Sequence, residues 1–120
     1  MAEAIPRQRV IDELLDAFPG SEKFIESIVA SLLDQGVKPI QKSHRSIGTQ
    51  IVKHTKELNN ARKRADESRM LVLIDPTPVN IQRAREADGL VRYYEKELQR
   101  FWTEHQVLRT VMDMMGIPAI

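Results

Sequence analysis

The sequence predicts an all-α protein in which two short N-terminal helices precede a long antiparallel helical hairpin, and the hairpins assemble into an oligomer. Apolar residues recur at helical spacing along most of the chain, and only five Gly and six Pro occur in 120 residues. The segment "DPTPV" at 75–79 holds two prolines that divide the second half into two long helices. Apolar heptads on both sides of this break are typical of two packed helices.

The N-terminal pair of helices should occupy residues 1–37. Pro6 suits a first helical turn, and apolar residues then recur up to "PG" at 19–20. Ser21 is the predicted N-cap of the second helix, and Gly36 its C-terminal stop. The short connection is similar to that of a helix-turn-helix, but the second helix carries three acidic residues against one lysine. We therefore do not expect it to read DNA.

The rest of the chain should comprise a basic connector and the long hairpin. The connector is predicted at 38–45, and the hairpin with a short C-terminal tail at 46–120. Its first helix should run from about residue 46 to 72. Asn80 is the predicted cap of its second helix, which should end before Gly116.

The heptads give the register of the hairpin. The last helix places two sets of residues in the seam: Ala84, Val91, Leu98, His105 and Met112, and Ala87, Tyr94, Phe101, Leu108 and Met115. The preceding helix contributes Ile51, Leu58, Ala65 and Val72, and Ile47, His54, Ala61 and Ser68. Folding about 75–79 sets the small Ala61 and Ala65 against larger residues of the last helix. It also predicts the ion pairs Arg62–Glu95 and Arg69–Asp88 beside the seam.

Apolar residues outside the seam predict a second contact face. Two short helices are too few to cover a hairpin whose helices are roughly 40 Å long. We therefore expect a homo-oligomer whose interface, or a partner's docking surface, includes Leu90, Trp102, Val107, Val111, Met114 and Ile117. The Met-rich tail makes Ile120 a further candidate. In the alternative, the two N-terminal helices cover this surface and the protein is a monomeric four-helix bundle.

Charge is distributed unevenly although the net charge is only +1. Residues 38–69 carry nine Lys or Arg and three Asp or Glu, between acidic flanking segments. After the two seam arginines are set aside, seven cations are predicted to face outward and bind double-stranded DNA: Lys38, Lys42, Arg45, Lys53, Lys56, Lys63 and Arg64. No aromatic residue lies between 25 and 92, so contact should be with phosphates and not with stacked bases.

Several classes of function have little support in the sequence. The absence of cysteine excludes disulfides and thiolate metal sites, and no glycine-rich phosphate loop is present. His54 and His105 fall at heptad positions, where a single histidine more often sets register than binds metal. We expect no enzymatic activity, metal or cofactor. The start of the chain does not resemble a signal peptide and no segment suits a membrane span, so the expected location is the cytoplasm.

A resemblance to a known family rests on residues 47–118. A basic helix containing "NNARKRADESR", a proline-containing break, and the helix "DPTPVNIQRAREADGLVRYYEKELQRFW" that leads to Gly-Ile-Pro resemble the helical hairpin of some phage terminase small subunits. The resemblance implies a ring of hairpins that recognises viral DNA and delivers it to a large motor subunit. Lys53, Lys56, Lys63 and Arg64 would then face DNA, and Trp102 and Val111 would lie between subunits. Unlike that pattern, the N-terminal helices here are acidic.

The sequence thus predicts a non-enzymatic, oligomeric DNA-binding subunit of a viral genome-packaging kind. One alternative is a helical scaffold or adaptor that acts only through protein contacts. Another is a small helical inhibitor or antitoxin whose acidic N-terminal helices occupy a basic site.

Overall fold

The computed structural model describes residues 7–119, which form four α-helices. These are α1 (Arg7–Ala17), α2 (Glu22–Gln35), α3 (Lys38–Ile74) and α4 (Pro78–Met115). The predicted all-α fold, with two short helices before a long antiparallel hairpin, is confirmed. Pro6 and Ile120, for which the sequence predicted a helix start and a partner contact, lie outside the described residues. None of the described helices is both long and apolar enough to cross a membrane.

The chain divides into two compact units. Unit 1 takes the chain up to Thr49 and from Phe101 onward, and unit 2 takes Gln50–Arg100. Unit 1 therefore holds α1, α2, the start of α3 and the end of α4. Unit 2 holds most of α3, the turn and most of α4.

The connection between α1 and α2 is a tight turn in which Gly20 adopts a positive φ of 94°. Ser21 occupies the predicted capping position, where its carbonyl accepts the amide hydrogen of Ile25 at 2.9 Å, but its side chain makes no capping bond. The carboxylate of Glu22 instead accepts a 3.0 Å hydrogen bond from the amide of Gly20. Backbone hydrogen bonds from Glu22 itself and from Gly20 lower the pKa of this carboxyl.

Residues 38–45 are helical, so the prediction of a connector there is wrong. The helix α3 begins at Lys38, and the amide of Gln41 donates to the carbonyl of Val37 at 3.1 Å. Pro39 falls in the first turn, where its missing amide hydrogen would have had no helical acceptor. Ile40 is buried in the core of unit 1. Burial of this side chain favours helix in a segment that is polar and basic in sequence.

The core of unit 1 contains residues from all four helices and the tail. Its buried members are Val10, Ile11, Leu14, Ile25, Ile28, Val29, Ile40, Val107, Leu108, Val111, Met112 and Ile117. Met114 is half-buried against this cluster. The prediction that Val107, Val111, Met114 and Ile117 form an intermolecular interface is therefore corrected. The chain's own core takes up these side chains, as in the alternative in which the N-terminal helices cover this end.

Unit 2 follows the predicted seam. Ile51, Leu58, Ala61 and Ala65 of α3 are buried, whereas the facing Val91, Tyr94 and Leu98 of α4 are half-buried. The remaining predicted seam residues in unit 2, His54, Ser68, Val72, Ala84 and Ala87, are half-buried as well. In unit 1, Met112 is buried but Met115 is exposed, because α4 ends there in a turn with Gly116 at a φ of 65°.

Thr77 caps the N-terminus of α4, where the sequence predicted Asn80 as the cap. The Thr77 Oγ1 accepts a 3.2 Å hydrogen bond from the Asn80 amide, and the Thr77 carbonyl accepts one from Ile81 at 3.0 Å. Pro78 is the first helical residue, where proline is favoured. Asn80 is buried, and its Nδ2 donates to the carbonyl of Asp75 at 2.8 Å. The sequence prediction thus placed the cap three residues too late.

Candidate nucleic-acid interface

The outward face of α3 in unit 2 carries three lysines that the sequence singled out. Lys53, Lys56 and Lys63 are all exposed. Steps of three and seven residues return to nearly the same side of an α-helix, so these lysines share one face. Buried Ile51, Leu58 and Ala65 occupy the opposite side. At 1.5 Å per residue the face spans about 15 Å between Lys53 and Lys63.

The arginines of the same segment are arranged differently. Arg62 Nη2 lies 3.6 Å from Glu95 Oε1, and Arg69 donates from Nη2 to Asp88 Oδ1 at 2.6 Å. Arg69 Nη1 also donates to Asp66 Oδ1 at 2.8 Å. Both interhelical pairs were predicted from the register and are confirmed. These two arginines are therefore occupied by the hairpin itself.

The outward cations have no acidic partner within ion-pair distance in the part of the chain that the structure describes. This holds for Lys53, Lys56, Lys63 and Arg64, although Glu67 follows Lys63 by one turn. Arg64 lies toward the edge of this face, because it also lines a groove with Leu71 and Leu90. The lysine face is therefore a solvated strip of cations that are not held in ion pairs with described residues.

The other three predicted DNA-binding cations belong to unit 1. Lys38, Lys42 and Arg45 are exposed in the first turns of α3. The Arg45 carbonyl accepts a 3.2 Å hydrogen bond from the Thr49 hydroxyl, which is a local helical contact. Like the unit 2 lysines, they form no ion pair with any residue in the 7–119 range.

Two tyrosines of α4 in unit 2, Tyr93 and Tyr94, contact each other. Tyr94 sits in the seam, edge-on to His54 with ring centroids 6.2 Å apart and to Tyr93 at 5.4 Å. A side-chain hydrogen bond with Glu57 raises the pKa of the Tyr94 hydroxyl. The ammonium groups of the lysine face suit phosphate contact, while the Tyr94 ring is engaged with His54 and Tyr93.

The three histidines fall in different units, His54 in unit 2 and His44 and His105 in unit 1. His54 Nδ1 lies 2.9 Å from the Gln50 carbonyl oxygen, a local hydrogen bond within α3. Among residues 7–119, no three His, Cys, Asp or Glu side chains are grouped to hold a metal ion. His44 and His105 stack in unit 1 with ring centroids 4.4 Å apart, a pairing that sequence reasoning missed. The heptad identified His105 as a seam residue, but nothing in it identified His44.

Trp102 and Gly48 lie close to the histidine pair, and Arg109 contributes a nearby charge. The edge of Trp102 contacts His105 at a centroid distance of 5.9 Å, and a Cβ added at Gly48 would lie 4.0 Å from His105 Nε2. His44 Nε2 is buried without a hydrogen-bond partner. Burial, followed by the charges of His44 and Arg109, lowers the pKa of His105.

Two of the predicted interface residues remain exposed. Leu90 projects from α4 in unit 2, and Trp102 is 47% exposed in unit 1 despite its contact with His105. These two side chains are still available to a partner. Comparison of the chain with models of protein families, with curated proteins and with solved structures finds no match.

Proposed function

We propose that this protein is a non-enzymatic DNA-binding subunit that contacts the phosphates of duplex DNA through Lys53, Lys56 and Lys63. The observation that carries the proposal is the strip of exposed, unpaired lysines on one face of a continuous helix. Lysine is a compact point charge, which suits phosphate contact without base recognition. Duplex DNA presents one negative charge per roughly 1.7 Å of axis, so a face of about 15 Å meets several phosphates.

The separation of the basic run into two groups supports this reading. Arg62 and Arg69 stabilise the hairpin through Glu95 and Asp88, whereas the lysines have no such pairs. The rigid seam beneath the lysines fixes their spacing before a ligand arrives, which lowers the entropic cost of binding.

The test is duplex binding across a salt series. Each phosphate contact contributes about 0.9 to the slope of log affinity against log salt. The variant Lys53→Glu/Lys63→Glu should therefore bind at least about 10-fold more weakly at 50 mM salt, with a slope smaller by roughly 1.8. The matched control is Lys23→Glu/Lys96→Glu, which changes net charge equally on exposed sites of α2 and α4.

Two results would contradict the proposal: no binding at 50 mM salt, or an equal loss of affinity in the control. Arg62→Ala provides a further check on the assignment. It should lower stability modestly through loss of the Glu95 pair, yet leave DNA affinity nearly unchanged.

The wider role implied by the resemblance to terminase small subunits, delivery of viral DNA to a packaging motor, is part of this proposal. A second candidate, a scaffold or adaptor that acts through protein contacts, is favoured by exposed apolar side chains near the hairpin turn, including Leu73 and Ile74. Absence of DNA binding together with retained helical structure would favour the adaptor.

A further inference from the structure

The end of the hairpin in unit 2 exposes an unusual amount of apolar surface. Residues 66–90, termed here the distal hairpin, contain one buried side chain, Asn80, and that side chain is polar. Six large apolar residues are exposed on the same segment: Met70, Leu71, Leu73, Ile74, Val79 and Leu90. Two helices can bury only the seam between them, so the distal hairpin lacks the second layer that completes a helical core.

The two sides of the distal hairpin are not equivalent. On one side, a groove of about 480 Å³ lies over Ser68 and Ala87 and is flanked by Leu71 and Leu90. We name it the Leu71 groove. On the other side, a groove of about 410 Å³ is edged by Arg69 and Asp88, which already form an ion pair with each other.

The Leu71 groove has the features of a self-complementary contact. Its floor of small residues accepts a large side chain, and its rim supplies two leucines of the size required. A surface that carries both the projecting residues and the space that receives them is what a two-fold contact between identical chains requires.

The charges around the groove point to the same occupant. Arg64, Glu67, Arg83 and Glu86 border it, two cations and two anions, and none forms an ion pair with a described residue. Glu86 accepts only a 3.2 Å hydrogen bond from Gln82. A border of zero net charge neither attracts DNA nor favours an anionic lipid surface, but it allows a second copy to pair each charge with its opposite.

We propose that two copies of this chain associate through the Leu71 groove, so that two distal hairpins form one four-helix bundle. This inference goes beyond DNA binding and does not depend on it.

The experiment is sedimentation velocity of the purified full chain, without DNA, over a concentration series from 1 to several hundred μM (roughly the span of moderate affinities). Wild type should change from monomer to dimer within that range. Leu71→Glu/Leu90→Glu should raise the dissociation constant at least about 10-fold. The matched control is Leu33→Glu, because Leu33 is a 61% exposed leucine on α2 in unit 1; it should dimerise like wild type.

Circular dichroism of each variant separates loss of association from loss of folding. A measurement at 0.5 M salt separates this contact from DNA binding, because apolar association should persist where phosphate contacts are lost. Wild type that stays monomeric throughout would overturn the proposal and leave the groove to another protein. A folded Leu71→Glu/Leu90→Glu variant that dimerises as well as wild type would overturn it too.

Discussion

Arg69 on α3 and Asp88 on α4 are joined across the hairpin by a 2.6 Å hydrogen bond from Nη2 to Oδ1. Arg69 also binds Asp66 at 2.8 Å, so one guanidinium links two carboxylates on two helices. The side chains of Arg69 and Asp88 are 55% and 32% exposed. Water therefore screens the attraction, and the pair contributes more to the register of the two helices than to their stability.

Asp88→Asn should lower the free energy of unfolding by only about 0.5 kcal/mol in urea denaturation. The coupling between positions 69 and 88, measured with Arg69→Gln in a double-mutant cycle, should shrink as salt is raised to 0.5 M. A coupling well above about 1 kcal/mol would mean that the pair is less hydrated than its exposure indicates.

Ala65→Leu should destabilise the hairpin by about 1–3 kcal/mol, because Ala65 is 1% exposed and a larger side chain must displace packed neighbours on α4. Thermal or urea unfolding followed by circular dichroism measures the effect. Asn59→Leu is the control, since Asn59 is exposed on the same helix. Equal stability of both variants would contradict the close packing of the seam at this position.

Thr77→Ala should cost about 1 kcal/mol, because it removes the oxygen that accepts the Asn80 amide hydrogen at the start of α4. Thr55→Ala provides the comparison in urea unfolding. The Thr55 hydroxyl donates to the Ile51 carbonyl at 2.7 Å, an acceptor already used within the helix, so its loss should change little. If both substitutions have the same effect, Thr77 is not the cap.

The histidine pair predicts a pH dependence of stability. The pKa of His105 is lowered by burial first, and then by His44 and Arg109, so the folded state favours the neutral ring. Above pH 6.5, the ordinary pKa of histidine, the His105 ring is neutral in both the folded and the unfolded chain. The stabilisation from its packing is then fully present. As the pH falls below 6.5, the unfolded chain takes up the proton first, and stability declines until the folded pKa is passed.

Thermal unfolding between pH 8 and pH 5 checks this dependence. The wild-type melting temperature should fall more steeply below pH 6.5 than that of His105→Gln, which does not titrate. Parallel curves for the two proteins would show that His105 is not responsible.

Sequence reasoning succeeded where the physical signal is local and repeated. The heptad identified Leu58, Ala61 and Ala65 as seam residues, and the register placed Arg62 opposite Glu95. Side chains at fixed helical spacing must share a face, so the pattern determines both the buried strip and the charges beside it.

Sequence reasoning failed where the burial or conformation of a residue depends on contacts between distant segments. Val107 and Val111 look the same in sequence whether a second copy or the N-terminal helices cover them, and the structure buries both in unit 1. Residues 38–45 resemble a loop because of Pro39 and their charges, but burial of Ile40 keeps them helical. The stacking of His44 on His105 likewise joins residues that no short-range pattern relates.

The only buried side chain of the distal hairpin, Asn80, is polar, and this affects how readily the backbone of the distal hairpin opens. Amide hydrogens of the unit 1 core are protected by apolar packing from several helices, so they should exchange with solvent only when much of that core opens. In a single chain, the backbone hydrogen bonds of residues 66–90 have no such protection and should open locally at low free-energy cost. The end of the hairpin is then the part of the molecule whose rigidity a second copy would change most.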